Sequence, residues 1–174
     1  MLRRLAAVLF ILLSWTCVAE AEQICRSDTI RASTPTENFL VEDLVVSDRT
    51  TGLMWQRCFV GYSGVGCQDG ELKPMSWPGA LQYAEKLNRE SGFAGYRNWR
   101  LPSIKELATI AEVQCANPAI NLNLFPNAPA AQVWSSSPYD LYPHYSWFFD
   151  FRDLTSSNLE RFKRFPIVLV RSID

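Results

Sequence analysis

Between Phe39 and Cys58 the chain reads FLVEDLVVSDRTTGLMWQRC, two apolar and β-branched runs on either side of the polar stretch Asp48–Gly52. This pattern predicts two strands joined by a turn. Residues 59–75 hold glycines and the Lys73-Pro74 pair, and they read as a loop. From Ser76 the period changes. Trp77, Ala80, Leu81, Ala84 and Leu87 recur at helical spacing and predict the buried face of a helix. Ser76 suits the N-cap, Pro78 fits the first turn, and Ser91-Gly92 closes the helix. Ser103 with Glu106 three residues on predicts a capping box, and Ile104, Leu107, Ile110 and Ala111 form the apolar stripe of a second helix.

The segment between the helices, GYRNWRLPSIKEL (Gly95–Leu107), reads as a structural joint. Tyr96 and Trp99 are expected to pack the end of the first helix on a sheet. Leu101 enters the core, and Pro102 bars helix from the residue before it. Arg97 and Arg100 are assigned to holding neighbouring loops rather than gripping a ligand. NPAINLNLFPNAP, from Asn117, is a loop with prolines near both ends. QVWSSS, YSWFFDF and RFPIVLVRS then read as strands, rich in aromatic and β-branched residues. Strands, two helices, then strands predict an α+β fold, with two helices packed on twisted, mostly antiparallel sheets.

The first residues form a separate unit. Arg3 and Arg4 precede an apolar run from Leu5 to Trp15 that is too short to span a bilayer, and Ala19-Glu20-Ala21 supplies small residues for cleavage. Residues 1–21 are therefore read as a signal peptide, 22–37 as an irregular arm, and 38–174 as the domain. Cys17 has flanks that make a poor lipobox. Removing Arg3, Arg4 and Glu20 from 17 basic and 18 acidic residues leaves 15 and 17, a net charge of −2. No broad basic face remains, which excludes nucleic acid. No apolar stretch after Ala21 is long enough for a mature membrane anchor. The expected location is the periplasm, the medium or the cell surface.

Four cysteines remain after Ala21, and an even count in an exported chain favours two disulfides. Cys58 and Cys67 bracket Gly61, Gly64 and Gly66, so they are paired, which leaves Cys25 with Cys115. A zinc site is the rival; it lacks a CxxC motif and has only His144 to draw on. No metal and no cofactor are expected.

Catalytic signatures are absent: there is no HExxH, GxSxG or glycine-rich phosphate loop. Asp150 and Asp153 are the one carboxylate pair to weigh, and their spacing on or after a strand turns them apart. Binding signals are stronger. SSSPYDLYPHYSWFF (Ser135–Phe149) places Tyr139, Tyr142, His144 and Tyr145 in an expected loop. Tyrosines offer a flat apolar face and a hydroxyl, which suits sugar rings or protein partners. Trp147 and Phe149 are expected in the core. LERFKRF (Leu159–Phe165) adds Arg161, Lys163 and Arg164, either as contacts to an anionic glycan or as charges guarding a strand edge.

TGLMWQRC, SWPGALQYAEKLN, GYRNWRLPSIKEL, NPAINLNLFPNAP, VWSSSPY, SWFFDF and VLVRS occur in an order that resembles the Lcl C-terminal domain family. The family is named from the C-terminal domain of a collagen-like bacterial adhesin and was long catalogued as a domain of unknown function. The resemblance spans about residues 38–174. It implies a C-type lectin-like fold, and the namesake is associated with sulfated glycosaminoglycans and host-cell attachment. The collagen-like repeat is missing here, with 8 glycines and no G-x-y period, so trimerisation does not carry over. The calcium-site motifs of C-type lectins are missing too. The expectation is an exported, non-enzymatic bacterial binding protein that recognises glycans or cell-surface ligands through the tyrosine-rich loop. Its partner would be a glycan, including a sulfated one, or an envelope or surface protein. The alternative is a protein–protein module or accessory subunit of an envelope or pilus-like assembly.

Overall fold

The computed structural model describes residues 22–173. The expected signal peptide, 1–21, lies outside the described residues. In chain order the strands and helices are β1 (Ile24–Cys25), β2 (Phe39–Val41), β3 (Val45–Asp48), β4 (Leu53–Gln56), β5 (Tyr62–Ser63), β6 (Asp69–Gly70), α1 (Trp77–Arg89), α2 (Ile104–Thr109), β7 (Cys115–Ala116), β8 (Gln132–Pro138), β9 (Tyr145–Asp150), β10 (Thr155–Glu160) and β11 (Val170–Ser172). One sheet runs β11-β4-β3-β2 and a second β10-β9-β8; β1-β7 and β5-β6 are short ribbons. All these pairings are antiparallel, so the fold is α+β as the element order predicts.

The apolar runs of β3 and β4 lack polar alternation because both of their faces are buried. Side chains alternate across a sheet. Val46, Leu53, Trp55, Val168 and Val170 enter one core with Leu107, Ile110, Ile120, Leu124 and Phe125. Their neighbours Val45, Met54, Ile167 and Leu169 enter another with Ala80, Ala84, Trp99 and Leu101. In the second sheet Val133 and Phe149 join the first core, and Trp134 and Phe148 the second. Each fully buried side chain of this size contributes roughly 1.5–3 kcal/mol from burial. The 117–129 loop is part of this packing, since Ile120, Leu124 and Phe125 are fully buried.

Several expectations need correction. The predicted strand from Phe39 to Asp48 is two strands, because the Glu42-Asp43 pair forms a turn in which Glu42 N–H donates to Val45 O at 2.9 Å. Leu81, placed on the buried face of α1, is exposed; Ala80 and Ala84 carry that face. Of RFPIVLVRS only Val170–Ser172 is a strand, since Pro166 has no N–H to give to a ladder. Trp99 does tie the end of α1 to the sheet, through Asn88 on either side of its backbone at 2.7 and 3.0 Å. Tyr96 instead stays partly exposed, with the Arg171 guanidinium 4.1 Å from its ring centre.

Both helix starts follow their local chemistry. Ser76 Oγ accepts from Gly79 N–H. Ser103 and Glu106 form the capping box. Arg100 grips the same Glu106 with both terminal nitrogens, at 2.9 and 2.7 Å. That bidentate contact leads the lowering of the Glu106 pKa, with the Ser103 N–H adding to it. Arg100 thus acts as the structural tie expected of it. The α1 exit uses Gly92 at φ +69°, where any Cβ would meet Tyr96 O at 2.2 Å.

The two disulfides are Cys25–Cys115 and Cys58–Cys67. This removes the ligands the zinc alternative required. Cys25 and Cys115 face each other across the β1-β7 ribbon. The arm is held a second time by Glu112, 1 % exposed. Its carboxylate accepts from Ser33 N–H and Oγ, Thr34 N–H and Oγ, and Gln114 N–H at 2.6–3.3 Å. Burial pushes its pKa up, but these donors outweigh that and hold it below the usual carboxylate value.

Candidate functional site

Of the residues singled out for binding, Tyr139, Tyr142, His144, Tyr145 and Arg161 meet at one end of the three-stranded sheet. SSSP is not loop: Ser135–Pro138 belong to β8 and Tyr145 opens β9, which shrinks the expected loop to a hairpin tip at residues 139–144. The serines are structural. Buried Ser135 donates to Trp147 O at 2.7 Å, Ser136 N–H bonds Pro102 O at 2.7 Å, and Ser137 Oγ accepts from Ile104 N–H at 3.1 Å. They bind the start of α2 to β8.

The tip is tight. Tyr145 N–H donates to Tyr142 O at 2.9 Å, and Tyr139 N–H to Tyr145 O at 3.1 Å. This folds the tyrosines onto one another, with ring centres 6.0 Å apart for Tyr139–Tyr142 and 5.6 Å for Tyr142–Tyr145. Trp147, expected in the core, is only half-buried and stands edge-on to Tyr139 at 5.4 Å. Strand alternation puts it on the face opposite Phe148, so it extends the tyrosine cluster instead. Leu141 and Tyr142 at the tip are 74 % and 59 % exposed. Tyr145 Oη donates to Glu160 Oε1 at 3.1 Å across the β9-β10 pair, and that carboxylate raises the tyrosine pKa.

The cations of LERFKRF do not form one patch. They lie in the turn after β10 and the stretch that follows it. Lys163 lies 5.3 Å from the Phe162 ring centre, and Arg164 Nε donates to Pro74 O at 3.2 Å. Arg161 is different. Its backbone N–H donates to His144 O, and its O accepts from Trp77 N–H, both at 2.9 Å. Its guanidinium lies over the Trp77 ring, 4.1 Å from the centre, and Nε donates to Ser146 Oγ at 2.8 Å. Trp77 is itself fixed by Nε1–H to Ser135 O at 2.8 Å. Arg161 therefore joins the hairpin, β10 and the start of α1.

Beside it lies an open hollow of about 640 Å³, lined by Ser76, Pro78, His144, Arg161 and Phe162. His144 belongs to both the hollow and the hairpin tip. Phe162 is 70 % exposed. Spacing did not single out Trp77 or the Ser76–Pro78 turn as neighbours of this site, because both read as ordinary helix-start features. The aromatic directly after an N-cap serine was the one available hint.

The carboxylates weighed for catalysis serve turns. Asp150 is buried and paired with Arg152, whose Nε donates to both carboxylate oxygens at 2.9 and 3.1 Å. Burial raises the Asp150 pKa, but the Arg152 contacts overcome that and leave it lowered. Asp153 accepts from Thr155 N–H and Oγ at 3.1 and 2.7 Å in the β9-β10 turn. Among the described residues, no group of three or more His, Cys, Asp or Glu converges as a metal site. No helix among them is long and apolar enough to cross a membrane.

No curated protein matches this chain significantly. The sequence profile of the Lcl C-terminal domain matches residues 44–171, a span from the turn before β3 to β11 that includes both helices and the tyrosine hairpin, and the chain belongs to that family.

Proposed function

We propose that the protein is an exported, non-enzymatic binding module that recognises cell-surface glycans through the tip of the β8-β9 hairpin. The observation that carries this reading is the cluster of exposed Tyr142 with half-buried Tyr139, Tyr145 and Trp147, packed ring against ring at 5.4–6.0 Å. Preordered aromatic faces lose little freedom on binding, and their edges carry hydroxyls for hydrogen bonding to sugars. Two helices packed on antiparallel sheets favour the C-type lectin-like arrangement that the family resemblance implies. Two disulfides fit an oxidising compartment and hence export.

A glycan array probed with the purified protein, wild type beside Tyr142→Ala, tests the reading. Binding to a defined glycan set that the substitution abolishes is the expected result; a blank array with wild type refutes it. A second reading, a protein–protein module of an envelope assembly, draws on the exposure of Leu141 and Phe162, since aliphatic and phenyl groups suit protein partners better than sugars. Co-purification with an envelope protein, lost on Leu141→Ser, would favour it. Glycoside turnover abolished by Asp150→Asn would overturn both.

A further inference from the structure

The glycan reading leaves unused the two most exposed large apolar side chains among the described residues, Leu141 at 74 % and Phe162 at 70 %. Leu141 sits in the tip of the β8-β9 hairpin, and Phe162 in the turn after β10. Pro138 pairs with Ser146, and Tyr145 with Glu160, at the last rungs of the sheet, so both turns project beyond the same end of it. They are joined there, because Arg161 N–H donates to His144 O at 2.9 Å. The second turn is closed by Lys163 N–H donating to Glu160 O at 3.0 Å. One exposed apolar side chain is ordinary; two on adjoining projecting turns mark a surface that meets something apolar.

Charge says what that surface meets. The two turns carry Arg161, Lys163 and Arg164 against the carboxylates of Asp140 and Glu160, a net charge of 3 − 2 = +1 on a chain whose own net charge is −1. Glu160 is turned aside to accept from Tyr145 Oη. Among the described residues neither Lys163 nor Arg164 has an ion-pair partner, and both are exposed. The Lys163 ammonium lies 5.3 Å from the Phe162 ring centre, so the apolar group and the cation are presented together. Protein interfaces are depleted of lysine, whereas surfaces that lie on membranes combine aromatic and aliphatic tips with Lys and Arg. We propose that this end of the molecule docks on an anionic phospholipid bilayer. Leu141 and Phe162 enter the boundary between headgroups and acyl chains, and Lys163 and Arg164 stay at the level of the lipid phosphates, which their long stems allow. Two apolar side chains make this a reversible contact rather than an anchor. The inference goes beyond the glycan reading and uses none of its four rings.

The test is flotation of the intact disulfide-bonded protein with vesicles of phosphatidylcholine alone and of phosphatidylcholine and phosphatidylglycerol in equal parts. With two cations each contributing roughly a factor of five near an anionic surface, the wild type should prefer the charged vesicles by about 10- to 50-fold, and added salt should weaken the binding. Replacing Leu141→Ser and Phe162→Ser together should weaken it by about tenfold or more. A Phe162→Trp variant, which keeps an aromatic ring in the turn, should shift its emission to the blue on the charged vesicles. The wild-type comparison and the tryptophan reporter stand even if the serine variant folds poorly. Flotation with neither vesicle overturns the proposal, as does flotation that both serines leave unchanged. Equal flotation with the two vesicles overturns the anionic assignment. Failure to float, together with co-purification of an envelope protein that Leu141→Ser abolishes, overturns the proposal in favour of a protein partner. No glycan is present in the test, so its failure leaves the glycan reading standing.

Discussion

Replacing Glu112 by glutamine removes an acceptor oxygen from a buried carboxylate that takes hydrogen bonds from Ser33, Thr34 and Gln114. The amide can keep the Oε1 side, where Ser33 and Gln114 donate. Its NH₂ then faces the Thr34 N–H, which is buried with no other acceptor at hand. A hydrogen bond to a charged group contributes about 1.5–3 kcal/mol against about 0.5–1.5 for a neutral one, and an orphaned buried donor costs about 1–3 kcal/mol. The expected loss is about 2–4 kcal/mol, or roughly 5–15 °C in Tm for a domain of this size. The sign of the pH dependence follows from the lowered pKa. A carboxylate depressed in the folded state contributes stability that is fully present above its unfolded value of about 4.3, and that stability is lost as pH falls through the folded value. Glutamine does not titrate, so the gap between wild type and variant should narrow on going from about pH 7 to about pH 3. Urea unfolding followed by tryptophan fluorescence, without reductant, measures both effects. A difference below about 0.5 kcal/mol at neutral pH, or one that does not shrink in acid, would refute the account of Glu112 as the arm's anchor.

Tyr142→Ala should leave unfolding within about 0.5 kcal/mol of wild type, because the ring is mostly exposed, while weakening glycan binding by about tenfold or more. Calorimetry beside the array separates these effects, and a large stability loss would mean the tip is structural. Loss of the Cys25–Cys115 bridge, which closes a separation of 90 residues, should cost about 4–5 kcal/mol in the loop-entropy account, against about 2–3 for the separation of 9 closed by Cys58–Cys67. Paired serine variants compared in urea check that order, and a reversal would point to native packing rather than chain entropy. Ser103→Ala should cost about 1 kcal/mol by removing the cap of α2; no measurable change would mean that Ser137 and Arg100 hold the start of α2 without the cap.

What could be read from the sequence were signals local in chain position. The capping box of α2, the N-cap of α1, the Asp48–Gly52 turn and the pairing of Cys58 with Cys67 each depend on residues a few places apart. The paired apolar runs also predicted strands, though not that both their faces are covered. What could not be read depends on which distant segments meet. Whether Leu81 or Ala84 faces the core depends on where β8 lies. Glu112 gives no sign of its burial until the 33–34 segment comes alongside. Arg161 looked like one of three equivalent cations because its stacking partner lies 84 residues earlier, at Trp77. The tyrosines were legible as a candidate surface, but their convergence needed the hairpin tip at Tyr142–Tyr145.

The division of successive strand residues between two cores has a consequence for how the domain comes apart. Trp55 and Met54 are neighbours on β4, yet they belong to different cores, Trp55 to the one that holds Leu107 of α2 and Met54 to the one that holds Ala80 and Ala84 of α1. Neither core can loosen without disturbing strands that also line the other, so the two share one unfolding transition rather than two. A slip of one residue in register would exchange the contents of the two cores, sending Trp55 where Met54 fits. The mismatch in size between those side chains penalises every such slip, and a cavity made in either core should lower the melting of the whole domain.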